Sequence, residues 1–229
     1  MIGTKDLFKV IATGLILLSS SSAAYVSAEE ETDPAVAPVW PPQWHADFSV
    51  EWWRNFWHVS TNGGSYHYDW KNGVSSEVHG EGQRDNWCHC ASSKNAECKI
   101  ISTATAMYAV LPTENVCCKL FEGVGTLKPT WLEGTNFDGY ERAGDPKRKC
   151  QKWLNPNPGN PLMKGDLWLI DDDGVPCGYV DVFKWWSRWL LGEGHYWDFD
   201  ESTYSTEEEP SDVFALPDGI DCKLQCAMC

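Results

Sequence analysis

Basic side chains are scarce: 18 Lys and Arg stand against 33 Asp and Glu in 229 residues, a formal net charge of -15. Nucleic acids and anionic membrane surfaces are bound through a positive face, which this chain cannot supply. Long apolar runs are missing beyond the N-terminal region, so the mature chain is expected to carry no integral membrane segment. Absent too are a Gly-x-Ser-x-Gly elbow, a phosphate loop, a dinucleotide fingerprint and a His-Glu-x-x-His pair, and no motif calls for a cofactor. Ordinary N-glycosylation is not expected, because no Asn-x-Ser/Thr acceptor occurs. Neither a long amphipathic helix nor a repeat of fixed period is evident.

The chain is rich in tryptophan and cysteine, with 14 and 10. Lys5 and Lys9 precede an apolar run at residues 10–18, followed by serines and by Val26-Ser27-Ala28. Residues 1–28 therefore read as a secretory signal peptide, its apolar run too short to span a bilayer. All ten cysteines (Cys88, Cys90, Cys98, Cys117, Cys118, Cys150, Cys177, Cys222, Cys226 and Cys229) follow it. An even count in an exported chain points to disulfides, and to a secreted, extracellular or endomembrane-lumen address. Neighbours Cys117 and Cys118 are expected to take different partners, since a bridge between them would strain the peptide bond they share. Zinc held by Cys88-His89-Cys90 with Cys98, or by Cys222, Cys226 and Cys229, lacks the paired knuckles of such sites.

Residues 29–43 read as an extended acidic, proline-rich leader, 44–197 as a β domain and 198–229 as an acidic C-terminal segment with a terminal cysteine cluster. Phe48, Val50 and Trp52 alternate with Ser49 and Glu51 in a β-rich stretch that ends at Asn62-Gly63-Gly64, read as a turn. Asn72-Gly73 and Asp172-Asp173-Gly174 read as hairpin turns. Further strands are expected at residues 65–70, 74–79, 100–111, 117–121, 135–141, 149–154, 167–171 and 178–184, with 185–191 a short helix or a strand extension. The expected fold is mainly β, a single curved antiparallel sheet or half-barrel stapled by disulfides, with few short helices.

Fourteen tryptophans exceed what a small β core needs. Trp52, Trp57, Trp70, Trp168 and Trp185 are candidates to line a groove, with bulky core packing the competing explanation. Glu51, Asp69, Asp138 and Asp181 lie among tryptophans. A glycan-active enzyme would use two such carboxylates, Glu51 and Asp181 being the leading pair. Solvent-facing or edge carboxylates are the simpler explanation. His58, His67 and His79 would meet only if three successive strands presented them on one face. Asp171, Asp172 and Asp173 could bind Ca2+ weakly, although a charged hairpin tip needs no metal. Trp186 and Trp189 have the spacing of a C-linked sugar site.

Several phrases then look familiar. Val39-Trp40-Pro41-Pro42-Gln43-Trp44-His45-Ala46 resembles the W-P-x-Q-F-H-A opening of a group of exported plant and algal proteins of unknown function. Tyr68-Asp69-Trp70-Lys71-Asn72-Gly73 is similar to that group's Y-D-W-P-N-G-R, residues 125–132 to its G-x-L-R-P-D-W-L, and Cys150-Gln151-Lys152-Trp153 to its C-N-V-W. Residues 214–222 resemble its closing segment. The sequence departs at Lys71, where the group has proline, at Val74, where it has arginine, and in its larger number of cysteines. The resemblance implies a curved antiparallel sheet like that of ependymin-related and lipoprotein-carrier proteins, cupping an apolar pocket.

Three functions compete on this reading. The first is an exported binding protein holding an apolar or amphipathic small molecule in a tryptophan-lined concavity, without turnover. The second is a cell-surface glycan-binding or glycan-processing protein, and the third a disulfide-linked structural protein of a wall or matrix.

Overall fold

The computed structural model describes residues 37–226 except 55–56, 86, 93, 124, 157–162, 184–192 and 223. Eleven strands are found among them: β1 (Gln43–Arg54), β2 (Trp57–Asp69), β3 (Val74–His79), β4 (Cys98–Ser102), β5 (Ala106–Leu111), β6 (Val116–Glu122), β7 (Asn136–Ala143), β8 (Arg148–Pro156), β9 (Met163–Ile170), β10 (Pro176–Phe183) and β11 (Glu193–Phe199). They pair antiparallel in one sheet of order β6-β5-β4-β3-β2-β1-β11-β10-β9-β8-β7. The chain thus makes one meander outward from β1, crosses to the far edge, and returns in a second meander whose last strand pairs with β1. Helix among the described residues is confined to single 3-10 turns, and none is long and apolar enough to cross a membrane.

The crossing requires curvature. Ten strand spacings separate β6 from β7, roughly 48 Å if the sheet were flat. Residues 123–135 could reach about 45 Å only if fully extended. They are not extended, because turn hydrogen bonds Trp131 N to Lys128 O and Glu133 N to Thr130 O (3.0 and 2.9 Å) shorten them. The edges must approach one another, and the crossing segment lies over the concave face.

Alternation on β1 is as the sequence implies: Trp44, Ala46, Phe48, Val50 and Trp52 are buried and the residues between them are not. Two features differ. Asn62-Gly63-Gly64 lies inside β2, because Gly64 is needed for close approach and not for a turn. A Cβ there would sit 1.8 Å from the Val78 carbonyl oxygen and 2.9 Å from the Phe48 ring. The expected strand at 100–111 is two strands, β4 and β5. Thr103 makes the turn between them, its hydroxyl accepting from Ala106 N at 3.2 Å.

Four disulfides are described: Cys88–Cys98, Cys117–Cys222, Cys118–Cys226 and Cys150–Cys177. Cys90 is also disulfide-bonded, and Cys229 lies outside the described residues. Such a set belongs to an oxidising compartment and removes the thiolates that either zinc reading needed. Successive residues on a strand point to opposite faces, so Cys117 and Cys118 clamp the C-terminal segment on both sides of edge strand β6. Cys117 lies with Ile101 and Val110 under Leu216 and Ile220 on one face, and Cys118 with Ile100, Ala109 and Leu120 on the other.

Candidate functional site

The concave face has an aromatic centre. Trp40, Trp44, Phe48, Tyr68, Trp131, Trp168, Trp197 and Phe199 are buried there in one cluster. Trp40 comes from the segment before β1 and Trp131 from the crossing segment, and Trp40 N donates to Pro129 O at 3.0 Å. Their ring centroids lie 5.3 Å apart and each is within 5.2 Å of Trp168. The centre is therefore filled by the protein's own side chains. Trp168 belongs to this closed packing.

Towards the end of the face where Trp52 lies, the packing becomes polar. Register places Asp166 opposite Asp181 on β9 and β10, and His195 opposite Trp52 on β11 and β1, all on the same face as Trp168 and Trp197. Asp181 Oδ2 accepts from His195 Nδ1 at 2.7 Å and from the His195 backbone N–H at 3.3 Å. The Tyr179 hydroxyl donates to Asp181 Oδ1 at 2.7 Å and lies 3.3 Å from Asp166 Oδ1. Burial, reinforced by both carboxylates, pushes the Tyr179 phenol well above its ordinary pKa, so it stays a donor. Burial and the neighbouring Asp181 raise Asp166, against the opposing Tyr179 contact. A phenol has one proton. Asp181, at 2.7 Å, is the nearer acceptor, and the 3.3 Å contact to Asp166 is the weaker of the two.

His89 completes the row. The Asp85 carboxylate accepts from the Trp87 and Cys88 amides (2.9 and 2.8 Å), shaping the turn. His89 Nδ1 then lies 3.1 Å from the Asp85 carbonyl, which can only accept, so Nδ1 carries the proton. The Trp52 indole lies between His89 and His195, nearly parallel to both, at 24° and 23° and with centroids 6.0 and 6.4 Å away.

The other expected site residues are dispersed. Glu51 is on the opposite face from Asp181 and accepts from Trp53 Nε1 at 3.0 Å. Trp70 follows β2, ten residues beyond the partner of Trp52, which is roughly 33 Å along a strand and too far for one small-molecule site. The Trp57 side chain, Trp185, Trp186 and Trp189 lie outside what is described. His58 and His67 share the continuous strand β2 and face away from the concavity, whereas His79 on β3 faces it, so the three do not meet. Asp171 accepts from Arg148 and the loop amides of Asp173 and Val175, and Asp172 from Gln151. Among the described residues, no group of three or more His, Cys, Asp or Glu is arranged to hold a metal ion. Sequence reasoning missed His195, Tyr179 and Asp166, and named His89 only within a zinc cluster. The only available signal for His195 was the alternation of His195 and Trp197 in a short glycine-flanked segment.

No family model and no curated protein matches the chain. Solved structures that resemble it include an uncharacterised conserved protein from Thermus thermophilus, at 8% identity over 80% of this chain and 90% of that one, TM-score 0.47. A DUF1329-family protein from Desulfovibrio piger matches at 8% identity over 76% and 90%, TM-score 0.38. A putative outer membrane lipoprotein-sorting protein domain from Vibrio parahaemolyticus matches at 8% identity over 75% and 88%, TM-score 0.35.

Proposed function

We propose that this is an exported binding protein that holds an amphipathic small molecule, without turnover, at the polar end of its concave face. The observation that carries the reading is the row Asp166, Asp181, His195, Trp52 and His89, in which carboxylates and a stacked aromatic group converge beside a filled apolar core. A wholly apolar guest would need the centre that Trp40 and Trp131 occupy. An amphipath needs only an aromatic edge for its chain and polar groups for its head. Burying about 300 Å² of apolar surface supplies roughly 7–8 kcal/mol before the cost of lost freedom, so micromolar affinity is the scale to look for.

The test is isothermal titration of the mature protein with fatty acids, sterols, isoprenoids and alkyl glycosides, each below its micelle threshold. Saturable binding by at least one, weakened about tenfold by Trp52→Ala and unchanged by Trp70→Ala, supports the site. No saturable response from any of them sinks the proposal.

A further inference from the structure

We infer that the polar head of the ligand is an uncharged hydroxyl group, as in an alkyl glycoside or other polyol, and not a carboxylate or an ammonium. This rests on the binding reading above and concerns the same site.

The starting point is a contrast among buried indoles. Nε1 of Trp40, Trp44, Trp52 and Trp131 has no conventional acceptor among the described residues. For three of them the surroundings supply a substitute. Trp40 meets Trp44, Trp131 and Trp168 edge to face, at 80°, 65° and 75°, so N–H groups in this cluster can be directed at π faces. Trp52 is different. It is 9% exposed, and its ring neighbours His89 and His195 lie nearly parallel to it. An indole N–H lies in the ring plane, so it cannot point into either imidazole and must leave through the edge of the stack. A buried donor of this kind calls for a lone pair brought by something else.

The rest of the row makes the opposite demand. Asp181 and Asp166 offer carboxylate oxygens; Asp181 is held by His195 and Tyr179 and Asp166 by Tyr179, and among the described residues neither meets a Lys or Arg. A ligand carboxylate could accept from Trp52 but would face two carboxyl groups of its own kind. An ammonium could donate to the aspartates but has no lone pair for Trp52. A hydroxyl does both, accepting from the indole and donating to a carboxylate. It also carries no charge into a half-buried site, where an unpaired charge is costly.

The experiment compares decyl glucoside, decanoate and decylammonium, matched in chain length, by isothermal titration with the mature protein at pH 7. The glucoside is expected to bind about tenfold tighter than either ion, the yield of one net hydrogen bond. Trp52→Phe keeps the ring and loses the N–H, and should cost the glucoside about tenfold while leaving decylammonium unchanged. Asp166→Asn should narrow the gap between glucoside and decanoate. Decanoate or decylammonium binding as tightly as the glucoside overturns the head-group assignment while the site stands. Failure of all three to bind overturns the binding reading itself.

Discussion

His79 shows how the concave face handles a buried charge. The side chain is 0% exposed, flanked by Phe48 and Trp197, with Nε2 3.6 Å from both Glu77 Oε2 and Asp85 Oδ2. Burial alone would pull its pKa down, but the Asp85 and Glu77 carboxylates outweigh it and the net shift is upward. A group whose folded pKa is raised stabilises the fold fully below its unfolded value and loses that contribution as pH rises through the folded value. Thermal stability should therefore decline from about pH 6 upward. Asp85→Asn keeps the oxygen that caps Trp87 and Cys88 and removes only the charge. It should flatten this decline and cost about 3 kcal/mol at pH 6, read from urea melts across pH. The same sign applies to Asp166, whose pKa is raised by burial and Asp181. Its carboxylate destabilises the fold once ionised, so Asp166→Asn should raise stability at pH 7, and unchanged or lower stability contradicts this account.

Edge strand β6 is the element most in need of protection, because an unpaired edge invites pairing with another chain. Its cover is the C-terminal segment: Lys119 N donates to Leu224 O at 2.8 Å, Cys226 N to Lys119 O at 3.0 Å and Gln225 Nε2 to Leu120 O at 2.7 Å. The two bridges close nearly the same long loop, with sequence separations of 105 and 108. With either intact, the other closes only a ring of a few residues. On the chain-entropy scale, loss of Cys118–Cys226 alone costs about 2 kcal/mol, whereas loss of both bridges costs about 7 kcal/mol. The double cysteine-to-serine pairs at 117/222 and 118/226 should also expose the edge, and light scattering should then show self-association that neither single-bridge variant shows. Equal and additive losses would mean that the bridges act independently. At this scale much was legible in the sequence. Asn72-Gly73 and Asp173-Gly174 do turn the chain, with φ of +67° and +85° at the glycines. The different partners of Cys117 and Cys118 followed from their adjacency. Gly64 misled because a glycine that admits a neighbouring backbone looks, in sequence, like one that bends its own.

At the level of the molecule, pairing β1 with β11 joins residues nearly 150 apart in sequence, from Phe48 and Phe199 to Trp52 and His195. No local pattern encodes that register. The row around Trp52 was therefore invisible: the strands of Trp52 and Asp181 were expected, but β11, which carries His195, was not. The tryptophans were conspicuous in the sequence, but whether they enclosed space or filled it depended on where the crossing segment ran. It runs over the concave face, so the fold is locked from above by Trp131 and Trp40, and this makes a further prediction. Trp131→Ala deletes a buried indole from a cluster with little freedom to collapse and should cost about 3–5 kcal/mol. Trp70→Ala removes a side chain that is 42% exposed and should change stability by less than about 0.5 kcal/mol. The hole left at position 131 would be apolar, the kind that stays dry and accepts a matching guest. Free indole added to Trp131→Ala should accordingly raise its melting temperature and leave Trp70→Ala unmoved. If Trp131→Ala melts no lower than Trp70→Ala, the crossing segment does not close the concave centre, and an apolar guest could occupy it after all.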